Sequence, residues 1–220
     1  MTTLANKNTE LDLNIGADIY CNEGRCGKLT HVVIDPSTQR VTDLVVEKGF
    51  LQKEDRVIPV SAVDQASGDE IRVDIVAEDF EAFPEYDEQT VRLPAGGYRG
   101  ERYQEQEVLY FMGRYSSIVV SEPVVPTVEH KVQEGVPNDL DVIGAGTPVR
   151  NVLDDLGEVD HLLVHSETNR VTHLVVKTKG LFSDYPVVPI TQVNAIHDDG
   201  VFLDLTEEQL EAYPRYTPSA

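Results

Sequence analysis

A duplicated segment constrains the fold of this chain more than any other feature. The string Arg-Val-Thr-x-Leu-Val-Val closes both residues 32–46 and residues 162–176, and in each copy it follows a polar turn. Two β-branched apolar runs that flank a turn cluster are the pattern of a β-hairpin. The chain is therefore a tandem repeat of one strand-rich unit.

The repeat extends well beyond this hairpin. Without a gap, the segment from Gly16 to Tyr86 matches a second segment shifted by about 130 positions. Residues 11–13 open the first copy as a short strand, and residues 140–142 echo them with a displacement of one residue. Each copy ends in a short predicted helix before a proline, at residues 78–83 in the first. In the second copy, Thr206 and Gln209 have the spacing of a capping box.

Short strands separated by turn signals at regular intervals predict a mainly β fold. We expect two tandem small antiparallel β-barrels, each closed by a short helix and joined by a long linker. The predicted organisation is a flexible tail, a first barrel, a linker that contains Gly, Tyr and Pro, and a second barrel, at residues 1–9, 10–90, 91–137 and 138–217.

The charge balance restricts the classes of partner. The chain has 39 acidic and 18 basic side chains, for a net charge of −21. Such a surface repels nucleic acid phosphates and anionic lipid headgroups, whereas it suits solubility at high salt or a basic protein partner. We favour the simplest interpretation, a solvated acidic surface. The sequence has no long apolar run and no signal peptide, so we expect a cytoplasmic protein without a membrane span, for which peripheral association with a membrane stays open.

The linker is unusually aromatic. Tyr103, Tyr110, Phe111 and Tyr115 lie in it, and they are the candidate partner-binding residues. These side chains can pack internally across the two barrels, which we favour, or they can form a strap that binds a partner.

Cys21 and Cys26 lie on either side of a predicted turn. We expect free structural thiols, because the equivalent positions of the second copy hold Asn151 and Leu156. A redox pair that forms a disulfide across the turn is the alternative.

The histidines do not form a predicted metal site. Four of the six lie in the second copy, and we expect His173 to face away from His161 and His165 on the neighbouring strand. The shared His31 and His161 are expected to pack or to form hydrogen bonds in both barrels. The carboxylate pairs fall in turns, and neither a nucleophile elbow nor a phosphate-binding loop is present. We therefore expect no catalytic, cofactor or metal site, and no enzymatic activity.

The repeated pattern resembles the PRC-barrel family. It runs from Gly24 to Leu29, through residues 32–46, to an apolar-Pro-apolar strand at residues 58–60, and the second copy follows it. The family includes the cytoplasmic barrel of the photosynthetic reaction centre H subunit and the C-terminal domain of the ribosome maturation factor RimM. The resemblance implies a six-stranded barrel that serves as a binding and assembly module without shared catalytic residues. The alternatives that it suggests are a ribosome-maturation factor that docks a basic ribosomal protein, and a peripheral subunit of a membrane complex.

Overall fold

The computed structural model describes residues 10–48, 54–94, 127–137, 139–179, 184–197 and 200–217. Within them the chain forms two compact units. The larger unit contains both repeats, up to Asp87 and from Gln133 onward. The smaller unit spans residues 88–132, and its described residues form a two-stranded sheet.

The strands of the first repeat are β1 (Glu10–Asn14), β2 (Asp18–Cys21), β3 (Gly24–Asp35), β4 (Arg40–Lys48), β5 (Glu54–Pro59), β6 (Val63–Ser67) and β7 (Glu70–Val73). The two-stranded sheet pairs β8 (Asp87–Pro94) with β9 (Thr127–Glu134). The strands of the second repeat are β10 (Asp141–Gly144), β11 (Pro148–Arg150), β12 (Asp155–His165), β13 (Val171–Thr178), β14 (Val187–Pro189), β15 (Val193–His197) and β16 (Gly200–Leu203).

Two seven-stranded sheets with the same topology confirm the predicted mainly β tandem fold. The path of the first is β5-β4-β3-β2-β7-β6, and the path of the second is β14-β13-β12-β11-β16-β15. Most neighbours are antiparallel, as expected, but β2 runs parallel to β7 and β11 runs parallel to β16. The sequence pattern did not predict these parallel pairs, because apolar alternation is the same in both strand directions.

The predicted hairpins and helices are present. In the first hairpin, the Asp35 carboxylate accepts hydrogen bonds from the Ser37 amide at 2.9 Å and from its hydroxyl at 2.6 Å. Hydrogen bonds from the side chains of Ser37, which has the larger effect, and Thr38 hold the pKa of Asp35 below its usual value. The first repeat is closed by a 3₁₀ turn (Asp79–Ala82), and the second by an α-helix, α1 (Glu207–Glu211), which begins with the predicted capping box.

The opening strands of the two repeats are exchanged. Strand β1 pairs antiparallel with β12 of the second repeat, where Leu13 lies opposite Leu162. Strand β10 pairs in the same way with β3 of the first repeat, where Ile143 lies opposite Val32. Each sheet therefore takes its seventh strand from the other repeat.

The exchange also corrects the alignment of the two opening strands. Because Leu162 is the equivalent of Val32, their partners Leu13 and Ile143 are equivalent to each other. The shift of 130 positions thus continues through β1 and β10. The displaced echo of residues 11–13 in residues 140–142 is wrong as a structural equivalence.

The hairpin turns of the two repeats meet as well. The Val41 amide donates to the Asn169 carbonyl at 2.8 Å, and the Val171 amide donates to the Gln39 carbonyl at 2.9 Å. One apolar core runs through both repeats and includes Leu13, Phe80, Ile143 and Leu210, all nearly inaccessible to water. Exchanged strands, reciprocal hydrogen bonds and a shared core join the repeats into one unit.

Candidate functional site

A polar cleft lies where β1 passes beside β6 and pairs with β12. It consists of two cavities of about 250 and 660 Å³ that share Ser67 and Tyr216 as lining residues. We call it the acidic cleft and define it by Asp12, Asn14, Asp69, Asp160, His161, Tyr185 and Tyr216. These residues come from β1, the β6–β7 turn and the second repeat, so both repeats contribute.

Asp12 lies at the centre of the acidic cleft, although it is only 7% exposed. Its Oδ2 accepts hydrogen bonds from the Tyr216 hydroxyl and from the Gly68 amide, the latter at 3.3 Å. Its Oδ1 is also buried, and among the described residues it has no hydrogen-bond partner. A buried carboxylate oxygen without a donor carries an unfavourable desolvation cost.

An aromatic pair stands beside this carboxylate. The rings of His161 and Tyr216 lie 4.5 Å apart between centroids, and His161 Nδ1 lies 2.5 Å from Asp160 Oδ2. Burial raises the pKa of Tyr216 well above its usual value, and the hydrogen bond to Asp12 raises it further. The charges of Asp12, Asp69 and Asp160 act in the same direction. The Tyr216 phenol therefore experiences a negative potential and stays protonated.

The rim of the acidic cleft adds further negative charge. Asn14 Nδ2 donates to Asp69 Oδ1 at 2.8 Å, which fixes that carboxylate beside β1. Arg215 lines the smaller cavity, and its guanidinium lies 2.9 Å from Asp184, which neutralises it. Asp160 has the ring of His161 beside it, whereas the carboxylates of Asp12 and Asp69 have no matching cation among the described lining residues.

Two described positions of β10 differ from their equivalents in β1. Val142 occupies the position equivalent to Asp12, and it packs in an apolar cluster with Val33 and Tyr86. Gly144 replaces Asn14, and a Cβ there would lie 2.6 Å from Nε2 of His31, so the imidazole fills that space. The pairing of His31 with Tyr86, 5.2 Å apart between ring centroids, repeats that of His161 with Tyr216. The ring pair is therefore present in both repeats, whereas Val142 and Gly144 replace the polar residues Asp12 and Asn14 of β1.

The chemistry available in the acidic cleft is that of cation binding. Three carboxylates and two tyrosine rings suit an ammonium or guanidinium group. Across the described part of the chain, no group of three or more His, Cys, Asp or Glu side chains could hold a metal ion.

The predicted site residues have two different outcomes. Tyr103, Tyr110, Phe111 and Tyr115 lie outside the described residues, so their role as partner-binding residues stays a prediction. Cys21 and Cys26 are joined by a disulfide, with Cα atoms 5.8 Å apart. The expectation of free thiols is therefore wrong for this structure, and the redox activity of the pair stays a prediction. The bond joins β2 to β3 across their turn.

The histidine geometry needs a correction. A β-bulge after Leu163 shifts the pairing of β12 with β13, so His173 of β13 lies opposite Leu163 of β12. Leu163 is two residues after His161 on β12. Alternate residues share a face, and His173 is therefore on the same face as His161. The expectation that it faces away is wrong. Its Nδ1 lies 3.8 Å from Glu10 of β1 rather than beside His161.

Sequence reasoning missed most of the acidic cleft. Asp12, Asn14 and Asp69 belong to the first repeat, and nothing local connects them with Tyr216 near the end of the second. The repeated pairs His31/His161 and Tyr86/Tyr216 were visible as a signal, because each recurs at the same offset. The displaced alignment of the opening strands did not place Asp12 and Val142 at equivalent positions, so this difference could not be recognised.

The comparison with protein families agrees with the geometry. The PRC-barrel domain matches residues 15–80 and again residues 145–210, two segments with the same offset as the repeat. The chain belongs to the PRC-barrel family. Both matches begin after the exchanged strands β1 and β10, so these PRC-barrel domains each complete their sheet with a strand from outside the match.

Membership of this family supports a general function. PRC-barrel domains mediate protein interactions and are generally non-catalytic, so the tandem arrangement supports a generic interaction or assembly module. A search of the curated proteins found no match for the chain. Among the described residues, no helix has the length and hydropathy needed to cross a membrane.

Proposed function

We propose that this protein is a non-enzymatic assembly module that docks a basic protein partner through the acidic cleft. The observation that supports the proposal is the difference between the two exchanged strands. Strand β1 contributes Asp12 and Asn14 to the cleft, whereas the equivalent positions of β10 hold Val142, packed among apolar side chains, and Gly144. The net charge of −21 would steer a basic partner toward the protein.

The test begins with the tagged full chain, purified from its native host at low salt, and with mass spectrometry of the proteins that remain bound. The main recovered protein is then purified, and its dissociation constant is measured over a salt series. We expect a basic protein whose affinity falls steeply as salt rises, because screening shortens the range of surface charges.

The outcomes separate the candidate functions. A basic ribosomal protein would favour a role in ribosome maturation, and a subunit of a membrane complex would favour a peripheral accessory role. A partner whose binding does not change with salt, or turnover of a metabolite by the purified chain, would contradict the proposal.

A further inference from the structure

The acidic cleft contains a buried acceptor, Oδ1 of Asp12, that has no hydrogen-bond donor among the described residues. The other oxygen of this carboxylate, Oδ2, already has two donors, from Tyr216 and Gly68. The side chain is more than nine-tenths buried and lines the smaller cavity. The Oδ1 atom is inaccessible to water, so an occupant reaches it only when the carboxylate turns toward the smaller cavity; a hydrogen bond formed there would relieve the cost of the unpaired acceptor.

The charge balance determines the sign of that occupant. Asp69 and Asp160 line the larger cavity, and Asp12 lines the smaller cavity beside it. Arg215, the guanidinium at the edge, is already paired with Asp184. A neutral donor would leave the charges of Asp12 and Asp69 uncompensated, whereas a cation would balance them and form charge-assisted hydrogen bonds.

The aromatic lining distinguishes between the two cationic side chains. Tyr185 and Tyr216 both line the larger cavity. A guanidinium is planar, stacks on aromatic rings and offers five donors in fixed directions, while an ammonium is a compact and strongly hydrated point charge. Carboxylates in separate places beside two rings therefore favour a guanidinium.

We propose that the acidic cleft binds one arginine side chain, presented by a protein partner, with its guanidinium between the Asp12 and Asp69 carboxylates. This inference deepens the proposed function and rests on it. The binding stoichiometry is one arginine per chain, because the positions equivalent to Asp12 and Asn14 hold Val142 and Gly144, which have no side-chain acceptor.

The test uses the isotope-labelled full chain and a synthetic peptide, acetyl-Gly-Arg-Gly-amide, titrated while NMR records the backbone amide shifts. Two control peptides replace the arginine with citrulline, a neutral isostere, or with lysine. We expect saturable shifts at Asn14, Gly68 and Asp69, with one site per chain. The lysine peptide should bind several-fold more weakly, and the citrulline peptide should cause no saturable change.

Protein variants test the named carboxylates. We expect Asp12→Asn and Asp69→Asn each to weaken binding of the arginine peptide about tenfold, since each removes a charged acceptor. Asp69 is exposed, so its variant keeps the test valid if the Asp12 variant unfolds. The matched control is Asp204→Asn, which removes the same charge from an exposed site outside the acidic cleft and should leave binding unchanged.

Three results would overturn the inference: shifts spread over the whole acidic surface, equal binding of the lysine peptide, or equal weakening by Asp204→Asn. The peptide test is independent of the natural partner. If a basic partner binds Asp12→Asn and the wild type equally, the arginine site fails while the assembly function stands. If the arginine peptide binds at the cleft but no basic partner is recovered, the assembly function fails and the site stands.

Discussion

Single residues distinguish the two exchanged strands of this duplicated chain. At one position the chain has Asp12 in one exchanged strand and Val142 in the other. The valine is buried against apolar neighbours, whereas the aspartate binds the Tyr216 hydroxyl and faces a cavity. The residue type at this position thus decides whether the exchanged strand presents an apolar or a polar side chain.

The Tyr216 phenol should titrate later than an ordinary tyrosine. Burial and the hydrogen bond to Asp12 raise its pKa from the ordinary value of 10.0, so the folded state favours the protonated phenol. The stabilisation is present below pH 10 and is lost as the pH rises through the raised pKa of the folded state. Ultraviolet absorbance of phenolate should show a late ionisation that is lost in Tyr216→Phe. The control variant Tyr20→Phe should retain it, and loss of the late step in that variant would contradict the assignment.

Residue-level prediction from the sequence succeeded where the determining contacts are local. The Asp35 turn and the Thr206 capping box depend on neighbours within three residues, and both formed as expected. The face of His173 was wrong, because a bulge cannot be seen in an alternating pattern.

At the scale of the elements, the turn of the β2–β3 hairpin and the equivalent turn between β11 and β12 are stabilised in different ways. In the first repeat the disulfide between Cys21 and Cys26 closes the turn. In the second repeat Asn151 accepts hydrogen bonds from the amides of Leu153 and Asp154, and its Nδ2 donates to the Leu205 carbonyl. The polar side chain of Asn151 thus takes the place of the covalent bond.

The disulfide should therefore be dispensable for folding. The double variant Cys21→Asn, Cys26→Leu introduces the residues of the second repeat, and it should fold with a loss of about 2 kcal/mol, because the closed loop is short. Urea unfolding monitored by circular dichroism measures this loss. The wild type under reducing conditions serves as the control and should lose a similar amount. A double variant that does not fold would show that the bond is required.

The exchanged strand β1 should contribute strongly to stability. Leu13 is fully buried in the shared core, so Leu13→Ala should lower the free energy of unfolding by about 2–5 kcal/mol. The reciprocal variant Ile143→Ala removes a side chain that is equally buried from the other exchanged strand, and it should cost a comparable amount. Urea unfolding of both variants checks the prediction. A loss below about 0.5 kcal/mol for Leu13→Ala, the range of an ordinary surface change, would contradict it.

The strand itself was predictable, but its partner was not. Residues 11–13 alternate as a strand should, and β1 is indeed a strand. Alternation specifies which face is buried but not which sheet receives it, and the strands β3 and β12 offer nearly identical apolar edges. The choice between them depends on how the chain connects the two repeats in space. The acidic cleft depends on that choice, so it could not be predicted either.

At the scale of the whole molecule, the exchange makes one unit of two duplicated domains. Each sheet is completed by a strand from the other repeat, and one apolar core includes both. The acidic cleft exists only because β1 crosses over: it is this strand that places Asp12 within reach of Tyr216. The exchange is therefore the basis of both the fold and the candidate site.

Cross-strand nuclear Overhauser effects in the isotope-labelled full chain test the exchange most directly. The account predicts backbone contacts between Leu13 and Leu162, and between Ile143 and Val32, as the two registers require. Without exchange, each opening strand would pair within its own repeat. Contacts between Leu13 and Val32 in place of those with Leu162 would contradict the exchange and would also remove Asp12 from the acidic cleft.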